Sequence, residues 1–458
     1  MTNVIVEVSK FIMMILFALY TFECFAAFRG RINPKKRERI FKRQVFYLYL
    51  IHLDGFLSIY AVTDEIQIVV LYFLQLVLIT ILLGNYQLLY PKASRLVTNN
   101  MCMLLVVGFI MLTRLSYDKS VKQYAIAVVS TVIIFVIPVL IRKAKFLRNL
   151  TWLYAIVGMA GLAVVTVFGA TSYGAKISIS VGGFFSIQPS EFVKILFVFF
   201  IACMLHENTD FKQVCITTVI AAAHVLILVA SRDLGGALIF FITYLVMLYV
   251  ATKKLFYFAG GIMVGAIAAV VAYQLFSHVR VRVVAWQDPL SVIDNEGYQI
   301  CQSLFAIGTG GWFGTGLYQG SPNKIPVVEQ DFIFSAISEE MGGIFALCLI
   351  MVCISCFLMF LNIAMQMKDQ FYKLVALGLG TVYAFQVFLT IGGVTKFIPS
   401  TGVTLPLVSY GGSSLLSTMI LFAIIQGLYI LRQDEGETNG KQTVQRRTRF
   451  EDEIEDFS

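Results

Sequence analysis

The chain has 458 residues, of which 58% are of hydrophobic types and 14% are charged, and its mean hydropathy is +0.81. A soluble globule carries about a quarter charged residues, so this composition excludes a chain solvated by water alone. The net charge of +8 would suggest nucleic acid in a soluble protein. Here the Lys and Arg gather in short connections between apolar runs, which marks cytoplasmic loops and not a nucleic-acid partner.

Apolar runs of about 20 residues span a bilayer as helices, and only helices fit runs of this length. About thirteen such runs succeed one another, centred near residues 16, 53, 75, 107, 131, 159, 197, 222, 243, 267, 350, 383 and 421. The predicted class is an all-α polytopic membrane bundle whose solvent is membrane lipid. The first run, near residues 4–28, is too long for a signal peptide and lacks a clear cleavage site, so it reads as a retained helix. The connection from Arg29 to Gln44 follows, carrying Arg29, Arg31, Lys35, Lys36, Arg37, Arg39, Lys42 and Arg43 against Glu38 alone. The basic patches Arg142–Arg148 and Lys253–Lys254 and the tail after Arg432 fall on the same side if spans alternate. This predicts the N-terminus outside and the C-terminus in the cytoplasm.

The opposite side receives two long connections rich in Gly, Pro and Ser, near 169–190 and 278–331, and a shorter one near 395–412. Loops this long on a compact membrane protein are usually functional. Residues 433–458 are polar, end in EDEIEDFS, and are expected to be disordered. Of the eight cysteines, only Cys301 lies in a long loop, and Cys353 and Cys356 form a CxxC inside a span. Neither pattern reads as a disulfide framework or a metal site. No nucleotide-binding motif is present. A transporter would therefore run on a gradient, and an enzyme would use an already activated substrate.

Ionisable residues in or beside spans are the candidate functional groups. Glu191 and Lys194 stand at i and i+3 where a span begins, on one helix face. They form either a self-neutralising structural pair or part of a polar cavity facing substrate. Asp233, in SRDLGG, is either a helix cap or local partner of Arg232, or a cavity residue. Glu339 and Glu340 are adjacent on a span, so at most one is expected to face the bundle. Asp331 ends the longest outer loop and immediately precedes an apolar run. A lone Asp there is ordinarily an N-cap, and a carboxylate at that helix terminus is favoured in its ionised form.

Several ordered motifs change the weight of that Asp. They are QPSEFVK (Gln188 to Lys194), Arg280 and Arg282 before Asp288–Pro289, Gly297–Tyr298–Gln299, and AIGTGGWFGTGL (Ala306 to Leu317). IPVVEQDFIFSAISEEMGG and FIPSTGVTLPLVSYGGSS (Phe397 to Ser414) complete the series. Together they make the chain resemble the SEDS family (RodA, FtsW, SpoVE) from about residue 99 to 432. The resemblance implies a ten-span core, preceded by an extension of three spans over residues 1–98 and followed by the tail 433–458. It also implies a peptidoglycan glycosyltransferase that polymerises lipid II for elongation, division or sporulation, partnered by a class B penicillin-binding protein. Asp331 falls where the family has its essential Asp, as base or as ligand to a divalent cation, Mg2+ or Mn2+. Arg280, Arg282 and Lys324 are then candidates for diphosphate or sugar contacts, with Glu191, Lys194 and Asp233 as a polar cavity floor. The segment before the Asp departs from the family's usual P-E-x-H-T-D: Val327 and Gln330 replace the Glu and Thr, and Glu329 takes the His place. A flippase for the same lipid-linked precursor is the rival reading, and a non-catalytic scaffold a third.

Overall fold

The computed structural model describes residues 2–30, 33–172, 175–181 and 185–455. Three helices open the chain: α1 (Thr2–Ala26), α2 (Pro34–Thr63) and α3 (Ile66–Leu89). Then come α4 (Arg95–Leu115), α5 (Tyr117–Lys143), α6 (Thr151–Phe168), α7 (Ser190–Leu205), α8 (Phe211–Ala230), α9 (Leu234–Thr252) and α10 (Leu255–Leu275). The long outer connection contains α11 (Ser277–Gln287) and α12 (Tyr298–Gly310), and α13 (Ile333–Gln366), α14 (Gln370–Val394) and α15 (Gly412–Glu455) complete the bundle. Twelve of these helices are long and apolar enough to cross a membrane. All thirteen expected centres lie within helices, the remaining one in the 16-residue α7. At 1.5 Å per residue α7 spans only about 24 Å, less than the hydrocarbon core of a typical bilayer. The chain is thus a multi-pass membrane protein built as a helical bundle.

Two local features were not read from composition. The connection after α6 holds a small antiparallel sheet, β1 (Ala170–Ser172), β2 (Ala175–Val181) and β3 (Phe185–Ile187), in that spatial order. At the other end, α15 continues as helix to Glu455, beyond the boundary at 433 drawn from polarity.

The extension is packed into the bundle. Nineteen of the 21 residues of α4 are buried, because α2 and α3 cover one side of α4 while α5 and α13 cover the other. Tyr20 and Cys24 of α1 both donate to the buried Asn100 of α4 (2.9 and 3.1 Å), and Asn100 donates to Ser355 of α13 (3.1 Å). In a membrane such polar contacts supply specificity that apolar packing cannot. By contrast α10 buries none of its residues and packs chiefly along α9. On one face of the bundle Lys92 and Arg142 both pair with Asp434 (2.8 Å each), and Arg148 pairs with Asp369 (3.2 Å). These pairs gather the α3–α4, α5–α6 and α13–α14 connections on one side. The three long connections lie on the other.

The expectation that at most one of Glu339 and Glu340 faces the bundle is corrected. Both are buried, because α13 breaks at Gly342 (φ 87°, ψ 167°), a conformation essentially restricted to glycine. The break frees carbonyls that the glycine-rich segment after α12 satisfies: the amides of Thr315 and Gly316 donate to the carbonyls of Glu339 and Glu340 (2.9 and 2.8 Å). The amide of Gly343 in turn donates to the Gly311 carbonyl (2.8 Å). The Glu340 carboxylate meets the Arg114 guanidinium (2.7 Å) and the Tyr318 amide (3.1 Å), while Glu339 accepts from the Ser321 amide (2.8 Å). Glu340 is thus paired with a cation and an amide, whereas Glu339 is held through Oε1 alone and its Oε2 is buried without a hydrogen-bond partner among the described residues.

Candidate functional site

A cavity of about 450 Å³ opens on the face that carries the long connections. Five separate segments bring charged residues to its wall: Glu191 and Lys194 from α7, Arg232 and Asp233 from the entry to α9, Arg282 from α11, Glu296 from the connection before α12, and Asp331 from the turn before α13. These seven positions span 140 residues of sequence, from 191 to 331, and meet in one space.

The floor is a hydrogen-bonded network. Lys194, buried in the second half of the first helical turns of α7, donates to Glu191 (2.5 Å) and to Gln386 of α14 (2.8 Å). Ser417 of α15 donates to the same Glu191 oxygen (2.8 Å). The two readings of this pair therefore coincide, since it is an ion pair and also part of the wall. Asp233 likewise does both. It caps α9 by accepting from the Gly236 amide (2.8 Å), and it accepts from Ser190 (3.4 Å) while facing the cavity. Burial raises the Asp233 carboxyl above its ordinary range, with Glu191 adding to the rise.

The rim is built differently. Arg282 donates to the carbonyl of Ser400 (3.2 Å), which ties α11 to the α14–α15 connection. Gly402 in that connection has φ +72°, and a Cβ placed there would lie 3.8 Å from Nη2 of Arg282 and 3.9 Å from Oδ2 of Asp331. The bare glycine thus faces both the guanidinium and the carboxylate and leaves the space beside them open. Asp331 is not the cap of α13: Phe332 holds the N-cap position, with no side-chain cap hydrogen bond. Burial pushes the Asp331 carboxyl up to about 6, partly offset by its own backbone N–H and by Arg282, with Glu329 raising it further. Burial also lowers the Arg282 guanidinium, against the opposing effect of Asp331 and Asp233. Thr401 Oγ1, also at this wall, is buried without a hydrogen-bond partner among the described residues.

Two of the sequence candidates are not brought to the cavity. Arg280 is exposed and off the wall, because residues two apart on a helix point to roughly opposite sides and Arg282 takes the inward position. Lys324 is exposed in the short 3-10 turn Pro322–Lys324. Conversely, Asn295, Gln299, Gln330, Thr401 and Gly402 line the cavity, and Gln386 holds Lys194 from behind. These uncharged residues carry no signal of cost in a span. Only the motifs containing Gln299, Gln330, Thr401 and Gly402 pointed toward them. The donor set does not fit a resident metal: among the described residues no three His, Cys, Asp or Glu side chains converge to hold an ion.

A model of the cell cycle protein family of FtsW, RodA and SpoVE matches residues 94–433. The chain belongs to this family. Among its relatives, the peptidoglycan glycosyltransferase RodA of Mycobacterium tuberculosis is 38% identical over 304 residues, covering 62% of this chain and 65% of the relative. Stage V sporulation protein E of Bacillus subtilis is 35% identical over 275 residues, covering 57% and 73%. The matched region thus spans just under two thirds of the length of the mycobacterial relative. Solved structures share the fold. A chain from a peptidoglycan synthase complex that coordinates polymerization and crosslinking superposes with a TM-score of 0.64 at 22% identity, covering 75% of this chain and 98% of that one. RodA of Thermus thermophilus superposes with a TM-score of 0.55 at 20% identity, covering 74% and 97%. Within the FtsW/RodA/SpoVE region lie all seven charged residues that line the cavity. The extension through α3 lies outside it.

Proposed function

We propose that this protein is a peptidoglycan glycosyltransferase that polymerises lipid II, a disaccharide peptide on a polyprenyl diphosphate, at the outer face of the bacterial cytoplasmic membrane. In this reading residues 1–98 are an accessory extension, 99–432 the enzymatic core and 433–458 a cytoplasmic tail. The N-terminus is outside, and a class B penicillin-binding protein crosslinks the product. The observation that carries the proposal is Asp331, a buried carboxylate at the wall of a charged cavity, with Gly402 leaving the space beside it open. Family membership and the relatives' activity support it.

The reaction joins C1 of the donor sugar to the 4-hydroxyl of the acceptor, with inversion from an α to a β link. The bond from C1 to the diphosphate breaks, and the polyprenyl diphosphate departs. Asp331 takes the hydroxyl proton. A carboxyl raised to about 6 is a stronger base than an ordinary one and still mostly ionised at neutral pH. Arg282 meets the negative charge that grows on the leaving diphosphate. Its displacement toward substrate would leave Asp331 without its opposing cation and make it more basic as the reaction begins. Lys194, neutralised by Glu191, orients the floor and does not compete for the diphosphate. Mg2+ or Mn2+ would enter with the substrate, since the chain's own donors do not enclose an ion. Polymerisation in EDTA against added Mg2+ or Mn2+ measures that dependence.

Purified full-length protein supplied with lipid II should yield glycan strands on a gel, and Asp331→Asn should not. Lipid II crossing a liposome bilayer with no polymer formed would replace this reading with that of a flippase.

A further inference from the structure

Glu329 stands two residues before Asp331, yet its side chain does not reach the cavity: Val327, Gln330 and Asp331 line the wall, and Glu329 does not. It is engaged on the other side of the strand. Lys119, in the first turn of α5, forms an ion pair with Glu329. The Tyr410 amide donates to the Glu329 carbonyl (2.8 Å), and the Lys119 ammonium lies 5.9 Å from the Tyr410 ring. One turn further along α5, the buried Gln123 donates to the Ser409 carbonyl (3.0 Å) and accepts from the Gly411 amide (3.3 Å). The first two turns of α5 therefore grip two outer connections at once. Gln123 fixes residues 409–411, those residues fix the backbone of Glu329, and Lys119 fixes its carboxylate.

The chain between Glu329 and Asp331 is short enough that this grip sets where Asp331 stands. Val327 has φ +56° and its carbonyl accepts from the Gln330 amide (3.0 Å), so the segment turns sharply just before the carboxylate. A turn holding a bulky β-branched residue in that region is kept only by surrounding contacts. The Glu329 side chain is 12% exposed and Lys119 38% exposed. The carboxylate end is thus the better shielded half of the pair, and losing its cation would leave a mostly buried charge beside the turn.

We propose that Lys119 is a positioning residue for Asp331, acting through the ion pair with Glu329 and the Tyr410 backbone to hold the turn that presents the carboxylate to the cavity. The inference rests on the function proposed above for Asp331, and its placement part can be tested without it. Small displacements of a reacting group reduce rate steeply while leaving substrate affinity in place. The lock is therefore expected to appear in kcat and not in KM.

The experiment uses the full-length protein in lipid nanodiscs with lipid II. Lys119→Met should lower kcat by roughly tenfold with KM for lipid II changed less than about twofold, and Lys119→Arg should keep most of the activity. Glu329→Lys alone should lose activity, and Lys119→Glu combined with Glu329→Lys should regain it. Hydrogen exchange at the amides of residues 327–331, read in the same samples, should rise in Lys119→Met and return in the charge-exchanged pair. Wild-type kcat in Lys119→Met, a loss confined to KM, or no recovery in the exchanged pair would overturn the proposal. Should the wild-type protein make no glycan, the activity assignment fails, and the exchange data alone then decide whether Lys119 holds the turn: unchanged exchange in Lys119→Met refutes it.

Discussion

Two charge clusters, one within the first turns of α13 and one at the turn that precedes it, do opposite things. At one, Glu340 accepts from the side chain of Arg114 and from the Tyr318 amide, and the guanidinium also lies 4.3 Å from the Tyr318 ring. Arg114 and Glu340 are 7% and 0% exposed. At the other, Asp331 and Arg282 face an open cavity, and the bare Gly402 lies beside both. The first cluster spends its charges on one another and fixes the glycine-rich segment to α4 and α13. The second keeps its charges available. Burial of a charge in a membrane protein is therefore not by itself the mark of a reaction site; empty space beside an incompletely partnered group is.

This contrast yields tests of decreasing size. The largest is Asp331→Asn, expected to lower the polymerisation rate at least ~100-fold without lowering the temperature of thermal unfolding. The sign of that second effect follows from linkage. The folded-state carboxyl is raised to about 6, so ionising it as pH climbs through that range costs stability, and a neutral amide removes the cost at neutral pH. If Asp331→Asn unfolds at a markedly lower temperature, the carboxylate is structural and the contrast collapses. Next come Arg114→Ala and Glu340→Ala. Leaving one partner of a buried pair without the other costs about 3–5 kcal/mol, so both should accumulate poorly and unfold early in detergent. Normal stability with lost activity would instead move this cluster into the reaction site. Gly342→Ala should cost about 1–3 kcal/mol through backbone strain. A Cβ there would also crowd the Gly314 amide and the Phe313 carbonyl carbon (2.5 Å). The smallest effect is with pH. Polymerisation should rise as pH climbs through about 6 and level off above it, because the base acts ionised. Arg282→Gln should push the inflection upward by removing a cation that lowers the Asp331 carboxyl. A pH-independent rate across that window would argue against Asp331 as the base.

Much of this molecule could be read before its structure. The helices at the thirteen expected centres, twelve of them long and apolar enough to cross a membrane, were legible because each apolar run is local and its length is set by the bilayer. Asp331 was legible from the ordered motifs around it, although its position alone suggested a cap. The tertiary partners were less accessible. Arg114 gave no sequence signal of Glu340, 226 positions away, and Lys119 none of Glu329, 210 positions away. Arg280 and Arg282 looked equivalent in sequence. The helical turn of α11 separated them, because side chains two residues apart face different ways. A regular helix would turn one of Glu339 and Glu340 away from the bundle, but the backbone breaks at Gly342 and the glycine-rich segment after α12 covers both.

By itself, then, the sequence determined the solvent, the number of apolar runs and the order of the motifs, all of which depend on residues close together in the chain. Only the tertiary structure decided which charges are spent and which stay open, because that depends on what each side chain meets across the bundle. It placed a three-helix extension against α4, gathered seven charged residues from five segments around one cavity, and held the turn before Asp331 from α5. Those outcomes arise from packing between distant helices, where no local pattern in the chain specifies the partner.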